Sequence, residues 1–488
     1  MCSILYIHSL DGPRKGLRFA EELFLGDTAL QHRGQHGGGF ASTNGDRMWV
    51  GKFFGAVATQ FDPHGARHKP PRPYRDELGK MCDRLPYKAA SHLRYATAGP
   101  DDDLAHYQPH YVDDLIDGRI AYLANGDIPK LAMHRGRLQG LGVEVFSEND
   151  GEFTLRYICY LRRKHKLNWV QAIHQFMLDI PGAYSGILMT KSHTYLLRDP
   201  RGFRPFVVGV TQNSLVAASE SVALKTLRAS FAFEVQRGSV VEIQRDGSHQ
   251  AHPYPATLPK CAAHCVFCQA YFGRSDSKMF IDDRPFDAVR QKGSYAHRFG
   301  VELAREQPAQ ADFVAAIRNS GDLAAKGYSE QSGIPDKELF IRNFAIPRTF
   351  LASLQEEREL LVQLKFGVMT DLFTKPKWRR VVVVDDSIVR STTARGIVQI
   401  TREAGAEEVH FRSAFPIITD PCYMGIAMPT RAELIGATRS VDEVRKCIGA
   451  DSLGYLSLDG LHRTLKSRGD DPQNYCTACM TGTYPIPV

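Results

Sequence analysis

The stretch that most constrains the fold is VVVVDDSIVRSTTARG, at residues 381–396. Four consecutive valines predict a strand that is buried on both faces, as in a parallel sheet covered by helices. Two adjacent carboxylates, Asp385 and Asp386, stand where that strand ends, and a hydroxyl-rich loop then leads into a helical pattern. This order is typical of a site for a phosphorylated sugar, because loop amides and a helix N-terminus face the phosphate. The alternative is a strand end capped by Asp and Ser side chains that binds no ligand.

The length of 488 residues predicts two or three domains, each large enough to bury its own core. A hydrophobic content of 43% and a charged content of 24% are typical of a soluble globular protein. Neither a long apolar run nor a secretory signal is visible, so we expect a cytoplasmic protein with no membrane contact. The net charge of +7 is scattered along the chain and by itself decides neither for nor against a nucleic-acid partner.

Cys2 follows the initiator Met directly. Once that Met is removed, Cys2 carries a free α-amino group, whose ordinary pKa is about 7.7–8.0. The amine can take the proton from its own thiol, which places a nucleophile and its base in one residue. Since a cysteine at position two is often incidental, the segments that follow must decide between the two interpretations.

Three segments of the first half place polar groups beside apolar runs: LQHRGQHGGGFAST (30–43), SHLRYATAGP (91–100) and AYLANGDI (121–128). The first predicts a Gly-rich turn and then a strand, and the second ends a predicted strand with Arg94, which can bind a carboxylate through two hydrogen bonds. The third places Asn125-Gly126 after an apolar run, where a side-chain amide and a backbone N–H can form an oxyanion hole. The alternative for this pair is a type I′ hairpin turn.

Together these segments resemble the glutamine-amide-transfer domain of the N-terminal-nucleophile class, in particular that of the amidophosphoribosyltransferase family. The family opens with Met-Cys-Gly-Ile where this chain has Met1-Cys2-Ser3-Ile4, and LQHRGQ, Arg94-Tyr95-Ala96-Thr97 and Asn125-Gly126 recur in the family's order. The resemblance implies that Cys2 attacks the glutamine amide and that Asn125 and Gly126 stabilise the oxyanion. It implies that three residues bind the rest of the glutamine: Arg33, Arg94 and Asp150, the last within Asn149-Asp150-Gly151-Glu152.

The second half resembles the phosphoribosyltransferase domain of the same family. CVFCQAYFGRSDS (265–277) matches its opening, residues 311–328 predict a strand, a turn and a helix start, and residues 342–366 correspond to its mobile loop. Residues 381–396 fall at its signature for 5-phosphoribosyl 1-diphosphate. The resemblance implies that Asp385 and Asp386 bind the ribose hydroxyls and, with Ser320, a magnesium ion. The other implied substrate-binding residues are Arg348, Lys365, Ser387, Ser391, Thr392 and Thr393.

The chain departs from the family at several of these positions. Arg318-Asn319-Ser320-Gly321 stands for the family's Pro-Asp-Ser-Gly diphosphate loop, and Arg318 could partly replace the charge of the metal or could block the site. Ser391 replaces a Gly, which costs about 1 kcal/mol or more if the position needs a positive φ. In the mobile loop, Phe344-Ala345 and Phe366 replace an Arg-Tyr pair and an Asn.

Ten cysteines include two CxxC pairs, Cys265-x-x-Cys268 and Cys476-x-x-Cys479, whose spacing alone indicates a zinc site. The resemblance instead implies a [4Fe–4S] cluster, which four thiolates can hold. The implied ligands are Cys265, Cys422, Cys476 and Cys479, with Cys268 a spare at a family Glu position. Such a cluster would fasten the C-terminal tail to the domain. Zinc and free thiols remain alternatives, and we expect Cys82, Cys159, Cys261 and Cys447 to be buried or incidental.

We therefore expect α/β and α+β architecture: a four-layer αββα glutaminase domain, then a Rossmann-like parallel α/β phosphoribosyltransferase domain. The expected boundaries are 2–259, 260–470 and a cysteine-bearing tail at 471–488, with the Pro-rich stretch 252–264 as the linker. The family also suggests a homo-oligomer, a tetramer or a dimer, and no nucleic-acid partner.

The main hypothesis is a two-site enzyme in which Cys2 releases ammonia from glutamine. The ammonia crosses a dry internal passage to C1 of 5-phosphoribosyl 1-diphosphate and displaces diphosphate, the first step of purine synthesis. A second hypothesis is a divergent paralogue with another acceptor or an impaired transferase site, and a third is a nucleotide-sensing regulator without catalysis. The nearly complete set of glutaminase residues argues against the third.

Overall fold

The computed structural model describes residues 1–12, 17–57, 78, 80–81, 84–95, 102–282, 284–343, 364–374, 378–428 and 430–488. The predictions for Cys82, Thr97, Phe344, Ala345 and Arg348 therefore lie outside the described residues. Every helix among the described residues is too short or too polar to cross a lipid bilayer.

The first half is built on two antiparallel sheets. Its strands are β1 (Ser3–Ser9), β2 (Gly37–Thr43), β3 (Met48–Phe54), β4 (Lys88–Arg94), β5 (His110–Asp114), β6 (Gly118–Asp127), β7 (Ala183–Met189), β8 (Thr194–Arg198), β9 (Val207–Val210), β10 (Ser214–Ala218), β11 (Ser230–Glu234), β12 (Val240–Ile243) and β13 (His249–His252). One sheet has the order β11-β9-β10-β1-β4-β2-β3 and the other β13-β12-β8-β7-β6-β5. The strand that begins one residue after Cys2 is thus central in its sheet.

Helices cover the outer face of each sheet. They are α1 (Leu17–Leu30), α2 (Leu131–Gly140), α3 (Asp150–His165), α4 (Trp169–Asp179) and α5 (Ser221–Thr226). One apolar core, with Ile4, Leu123 and Ile187, lies between the sheets. A second core packs α1 and α5 on the first sheet, and a third packs α3 and α4 on the second. These layers are the predicted αββα sandwich.

The second half contains a parallel sheet with the order β15-β18-β19-β20. Its strands and the short ones around it are β14 (His264–Cys265), β15 (Phe313–Ala316), β16 (Phe340–Arg342), β17 (Phe366–Val368), β18 (Arg380–Asp385), β19 (Glu408–Ser413), β20 (Ser452–Tyr455) and β21 (Tyr475–Cys476). The helices are α6 (Lys292–Glu306), α7 (Asp322–Ser332), α8 (Thr392–Glu403), α9 (Ile435–Thr438), α10 (Val441–Ile448), α11 (Leu458–Ser467) and α12 (Ala478–Thr481).

The four valines of β18 are buried in two different cores. Val382 and Val384 belong to the core that contains residues of α6, α7 and α11, whereas Val381 and Val383 belong to the core with residues of α8 and α10. Successive side chains of a strand point to opposite faces, so one valine run fills both sides of the sheet. The prediction of a strand buried on both faces, followed by a loop and a helix, is confirmed.

One local prediction is wrong, and one alternative is excluded. The glycines of the 30–43 segment lie inside β2 rather than in a turn, because this strand packs closely on its neighbours: a Cβ added at Gly38 would stand 2.1 Å from the His92 carbonyl oxygen. Asn125-Gly126 lies within β6, where Asn125 pairs with Ser185 and Gly126 with Tyr184. The alternative of a hairpin turn at this pair is therefore excluded.

The overall fold class is confirmed, with antiparallel sheets in the first half and a parallel sheet in the second. The C-terminal tail returns to the start of the second half, where β21 pairs with β14 in parallel register. The boundaries 2–259, 260–470 and 471–488 stay predictions.

Candidate active site

Cys2 lies at the edge of a buried pocket in the first half. The Tyr95 backbone N–H donates to the Cys2 Sγ over 3.4 Å. Burial raises the pKa of the Cys2 thiol, and the positive N-terminus and the Tyr95 N–H oppose that rise. The thiol therefore needs a nearby base to become a nucleophile at neutral pH.

Arg33 fastens the N-terminus to the sheet. Its Nε donates to the Cys2 carbonyl oxygen over 3.3 Å, and its Nη1 forms a fully buried ion pair with Glu220. Burial alone would raise the pKa of Glu220, but His32 and Arg33 hold that pKa well below its usual range. Arg33, which we predicted to bind glutamine, thus holds the Cys2 backbone by a direct hydrogen bond, and the ionised Glu220 fixes the Arg33 guanidinium.

The pocket beside Cys2 has a volume of about 430 Å³. Its wall consists of Cys2, His92, Arg94, Tyr95, Gln108, Ala124, Gly126, Asp127, Leu131, Glu148, Asn149 and Asp150. It therefore brings together the predicted Cys2, Gly126, Arg94 and Asp150. Arg94 ends β4, as predicted, and its guanidinium lies over the Tyr107 ring at 4.4 Å from the centroid.

Asp150 enters the pocket from the first turn of α3. The Asn149 side chain caps this helix by accepting from the Gly151 N–H over 2.8 Å. Burial, together with the neighbouring Asp127, raises the pKa of Asp150 to about 8. Burial also raises the pKa of Asp127 to about 6. Two carboxyl groups in one buried pocket favour a bound cation, and the ammonium group of an amino acid meets that need.

Asn125 is placed differently from the other predicted residues. Its side chain is fully buried, and neither amide atom has a hydrogen-bond partner among the described residues. The described residues that line the pocket include Gly126 but not Asn125. The Asn125 amide is thus a buried, unsatisfied group next to the pocket, which leaves its predicted oxyanion role open.

Among the pocket residues that sequence reasoning missed are Asp127 and His92. Asp127 follows the Asn125-Gly126 pair directly, so its position was the available signal. His92 is 2% exposed, and burial lowers its pKa to about 3, so its ring is neutral at pH 7. His92 stands two residues before Arg94 on the same strand and therefore on the same face.

The second half holds a larger cavity of about 1080 Å³ at the carboxyl end of β18. Its wall includes all but one of the predicted acceptor residues: Ser320, Lys365, Asp385, Asp386, Ser387, Ser391, Thr392 and Thr393. The remaining one, Arg348, lies outside the described residues. Ligands of parallel sheets bind at the carboxyl ends of strands, so the valine strand and its loop form the predicted kind of site.

Local hydrogen bonds orient the two carboxyl groups at the end of β18. The Asp386 N–H donates to Asp385 Oδ1 over 2.8 Å, and the Ser387 hydroxyl donates to Asp386 Oδ1 over 2.7 Å. Burial, and then the adjacent Asp386, raise the pKa of Asp385 well above its usual range, which Lys365 opposes. Such a pair favours a cation or hydroxyl donors in the cavity.

The two loops that border this acid pair are the ones where the sequence departs from the family. Ser391 has φ +64° and precedes the first turn of α8, so the position does have the left-handed backbone that a Gly adopts without strain. The 318–321 loop packs on the end of β18, where the Ile317 N–H donates to the Val384 carbonyl over 2.9 Å. The Arg318 side chain lines the cavity beside Ser320.

An apolar cluster joins the two cavities. Tyr95, whose N–H binds Cys2, contacts the Phe272 ring edge to face, with centroids 5.9 Å apart. Phe272 in turn lines the larger cavity, together with Ile426 and Met428 of the same core. The Cys2 nucleophile and the acceptor cavity thus lie on opposite sides of the contact between the Tyr95 and Phe272 rings.

The four predicted cluster cysteines lie on neighbouring segments behind this core, and the described residues contain no three metal-binding side chains grouped around one point. Cys265 and Cys476 are paired across β14 and β21, and the Cys479 carbonyl accepts from the Thr419 N–H, three residues before Cys422. Cys268 hydrogen-bonds Cys265, and this contact lowers the pKa of the Cys265 thiol to about 5. Every cysteine that the structure describes is a free thiol, Cys159 being buried and Cys261 and Cys447 partly exposed.

A buried cation accompanies these thiols. Arg204 is fully buried, and its Nη1 donates to the Cys268 Sγ over 3.7 Å. Among the described residues no carboxylate lies within ion-pair distance of it, and burial, which lowers its pKa, is outweighed by Cys265, Cys268 and Cys422, which raise it. A buried guanidinium needs a counter-charge. The Cys265 thiol, whose pKa is lowered to about 5, can supply this counter-charge as a thiolate, and Arg204 also opposes the rise in the pKa of Asp127.

The fold and the two cavities define a glutamine amidotransferase joined to a second α/β domain with a phosphate-type cavity. In agreement, the family model described as a glutamine amidotransferase domain matches residues 92–226. The chain is 36% identical to the amidophosphoribosyltransferase of Methanothermobacter thermautotrophicus, over 100% of this chain and 95% of that one. It is 33% identical to the Mus musculus protein of the same name, over 95% of this chain and 93% of that protein.

Solved structures show the same likeness. The glutamine phosphoribosylpyrophosphate amidotransferase from B. subtilis, complexed with ADP and GMP, is 30% identical, with a TM-score of 0.82 over 99% of this chain and 97% of that chain. A structure described as the allosteric regulatory enzyme of purine biosynthesis is 31% identical, with a TM-score of 0.84 over 100% and 97%. The chain belongs to the amidophosphoribosyltransferase family. The predicted family, fold and enzyme class are confirmed.

Proposed function

We propose that this protein transfers ammonia from glutamine to C1 of 5-phosphoribosyl 1-diphosphate. The products are 5-phosphoribosylamine, glutamate and diphosphate, and the reaction is the first step of purine synthesis. The observation that carries the proposal is the contact between Tyr95, which binds the Cys2 thiol, and Phe272, which lines the cavity of the acid pair. One apolar cluster thus connects a nucleophile for amides with a cavity for a sugar phosphate.

In the glutamine pocket, Arg94 binds the substrate carboxylate and Asp150 binds the substrate ammonium. The Cys2 thiolate attacks the amide carbon, with the freed α-amine of Cys2 taking the thiol proton. Gly126 N–H and the Asn125 amide stabilise the oxyanion, and the unsatisfied buried amide of Asn125 supports this role. The C–N bond breaks, ammonia leaves with a returned proton, and water hydrolyses the γ-glutamyl thioester.

In the acceptor cavity, Asp385 and Asp386 accept hydrogen bonds from the ribose hydroxyls. The 387–393 loop and the N-terminus of α8 surround the 5-phosphate, with hydroxyls from Ser387, Thr392 and Thr393. Lys365, and Arg348 by family resemblance, contribute positive charge. The apolar contact between the cavities keeps water from the sugar while ammonia crosses.

The acid pair fits a magnesium ion. Magnesium is held by one or two carboxylates together with substrate phosphates, so it needs no group of three protein ligands. No such group of three is present among the described His, Cys, Asp and Glu side chains. Asp385, Asp386 and Ser320 are the residues that would hold the ion, which supplies positive charge for the departing diphosphate.

The cysteine site fits a [4Fe–4S] cluster held by Cys265, Cys422, Cys476 and Cys479. A single zinc ion would need at least three metal-binding side chains grouped around one point, and the described residues contain no such group, whereas the four thiolates of a cluster each bind a different iron and stand farther apart. The buried Arg204 guanidinium, near Cys265, Cys268 and Cys422, is compatible with a negatively charged cluster. The cluster would fasten the tail that carries β21 to β14, with a structural role.

We further propose a cytoplasmic homo-oligomer, a dimer or tetramer, which acts on small molecules rather than on nucleic acid. The absence of a membrane-spanning helix among the described residues is compatible with this location. The domains are proposed as 2–259 and 260–470 with the tail 471–488.

The test is an assay of glutamine hydrolysis and of diphosphate release, with and without 5-phosphoribosyl 1-diphosphate and magnesium. Diphosphate release that depends on glutamine is expected, and Cys2→Ala should abolish it while release supported by ammonium chloride persists. Iron and acid-labile sulfide in anaerobically purified protein test the cluster.

The replacement of the family's Pro-Asp by Arg318-Asn319 in the diphosphate loop motivates a second candidate, a divergent paralogue that delivers ammonia to another acceptor. Glutamine hydrolysis without any diphosphate release would reject the main proposal and support this one. A protein unaffected by Cys2→Ala in every assay would reject both.

A further inference from the structure

Arg318 stands on the partition between two cavities. It lines the large cavity together with Ser320, Lys365 and the acid pair. It also lines a smaller neighbouring cavity, whose wall carries three carboxylates: Asp322, Asp336 and Glu338. Arg318 therefore belongs to the walls of both cavities, while its guanidinium is bound on the acidic side.

The present partners of Arg318 are on the acidic side. Its Nη2 donates to Glu338 Oε1 over 2.9 Å, and its Nη1 lies 3.6 Å from Asp322 Oδ2. The Arg318 and Glu338 side chains are 32% and 63% exposed, and an ion pair this exposed is weak and easily exchanged. Burial raises the pKa of Asp322, and Arg318 opposes that rise.

The other cations of the large cavity lie near carboxylates. Arg390 is bound to Glu433, with its Nε at 2.8 Å and its Nη2 at 2.6 Å from Glu433 Oε2. Lys365 lies near Asp385 in the same cavity and opposes the rise in its pKa. Arg318 belongs to the 318–321 loop, which corresponds to the diphosphate loop of the family and borders the acid pair.

We propose that Arg318 binds the diphosphate of the acceptor substrate and that Glu338 and Asp322 hold its guanidinium when the cavity is without substrate. The inference rests on the proposed function. A diphosphate offers several negative charges and accepts paired hydrogen bonds from a guanidinium, so it outcompetes one exposed carboxylate. Arg318 is thus a chain-specific binding residue where the family has a proline, and it does not block the cavity.

The experiment measures the KM for 5-phosphoribosyl 1-diphosphate from diphosphate release, with ammonium chloride as the nitrogen donor so that the glutamine pocket is not involved. Arg318→Ala should raise KM about 10-fold or more, the loss expected for charge-assisted hydrogen bonds. Arg318→Lys, which keeps the charge but not the planar fork, should raise it less. Glu338→Gln should lower KM by up to about fivefold, because it frees the guanidinium.

Arg305→Ala is the matched control, since Arg305 is an exposed arginine that binds Glu302 over 3.2 Å on α6. Its KM should equal that of the wild type, and thermal melting should show that all variants fold. Calorimetric binding of inorganic diphosphate, with and without magnesium, gives a second readout, in which Arg318→Ala should bind more weakly.

The outcomes separate the two proposals. An Arg318→Ala variant whose KM and diphosphate affinity are unchanged overturns the inference and leaves the proposed function intact. A lower KM in Arg318→Ala shows instead that the side chain obstructs the cavity. A wild-type protein that releases no diphosphate and binds none overturns the proposed function and the inference together.

Discussion

Gly425 of the second half lies against the backbone of Gly126 in the glutamine pocket. A Cβ added at Gly425 would stand 2.9 Å from the Gly126 carbonyl oxygen and 3.0 Å from its carbonyl carbon. Gly425 also has φ +91°, a conformation that side chains rarely adopt. The two halves of the protein therefore touch, main chain to main chain, beside the proposed oxyanion site.

Gly425→Ala should impair the use of glutamine from a position outside the glutaminase half. The added methyl group must push the Gly126 backbone, so we expect glutamine-dependent activity to fall at least about tenfold, because small displacements of positioned groups are costly. Activity with ammonium chloride should fall less. Steady-state assays with the two nitrogen donors measure the difference.

Gly449→Ala is the control for backbone strain alone. Gly449 has φ +75°, and a Cβ there would meet only a Val398 methyl group at 3.8 Å. The Gly449→Ala variant should lose about 1 kcal/mol of folding free energy. Its activity with glutamine should fall no more than its activity with ammonium chloride. Equal effects of both variants on the two donors would contradict the proposed coupling.

Ser391→Gly should stabilise the phosphate loop. Ser391 has φ +64°, and removing its Cβ relieves about 1 kcal/mol of backbone strain. We expect Ser391→Gly to have a higher midpoint in thermal melting. We also expect its KM for 5-phosphoribosyl 1-diphosphate to be equal to or lower than that of the wild type. Ser391→Ala keeps the Cβ and should show no gain, so a gain in Ala equal to that in Gly would show that the hydroxyl and not the backbone matters.

Glutamine affinity should rise with pH toward pH 8. The raised pKa of Asp150, about 8, means that this carboxyl holds its proton at lower pH, whereas an ammonium group binds the ionised form. Asp127→Asn removes the neighbouring carboxylate, so Asp150 should ionise more readily and the rise should move to lower pH. The KM for glutamine hydrolysis between pH 6 and pH 9 measures this.

Other groups of the pocket do not produce this shift. His92 is neutral throughout the range because its pKa is about 3, and the Cys2 thiol, whose pKa burial raises, acts on both variants alike. Asp113→Asn, on the exposed edge strand β5, should leave the profile unchanged. Identical profiles for wild type and Asp127→Asn would refute the coupling between the two carboxyls.

Cys479→Ser should lower the iron and sulfide content of anaerobically purified protein. Cys268→Ser should retain both if Cys268 is a spare thiol, and Cys447→Ser is the control because Cys447 is partly exposed on α10, a helix that packs in a different core. A loss of iron in Cys268→Ser, with retention in Cys479→Ser, would reverse the proposed assignment of ligands.

The parts of the fold that sequence predicted depend on local patterns. The valine run of β18 and Arg94 at the end of β4 follow from periodicity and neighbouring residues. Family resemblance then supplied the architecture and the two cavities.

The parts that sequence missed depend on contacts between distant segments. The glycines at 37–39 form a strand because neighbouring strands approach closely, and no local signal distinguishes that from a turn. The burial of Arg204 among thiols, with Cys268 more than 60 residues away in the chain, appears only once the two halves are packed. The position of Asp127 beside Asp150 likewise requires the fold.

The alternating valines of β18 have an evolutionary consequence. Because two cores pack on opposite faces of this strand, they fix the position of Asp385 and Asp386, while Gly321 of the neighbouring loop packs tightly on the strand end. Positions 318 and 319 of that loop can therefore be substituted while the acid pair keeps its place. Selection can then change how the diphosphate is bound without changing the fold of the cavity. Divergence at Arg318 beside an intact acid pair is the pattern that such a scaffold permits.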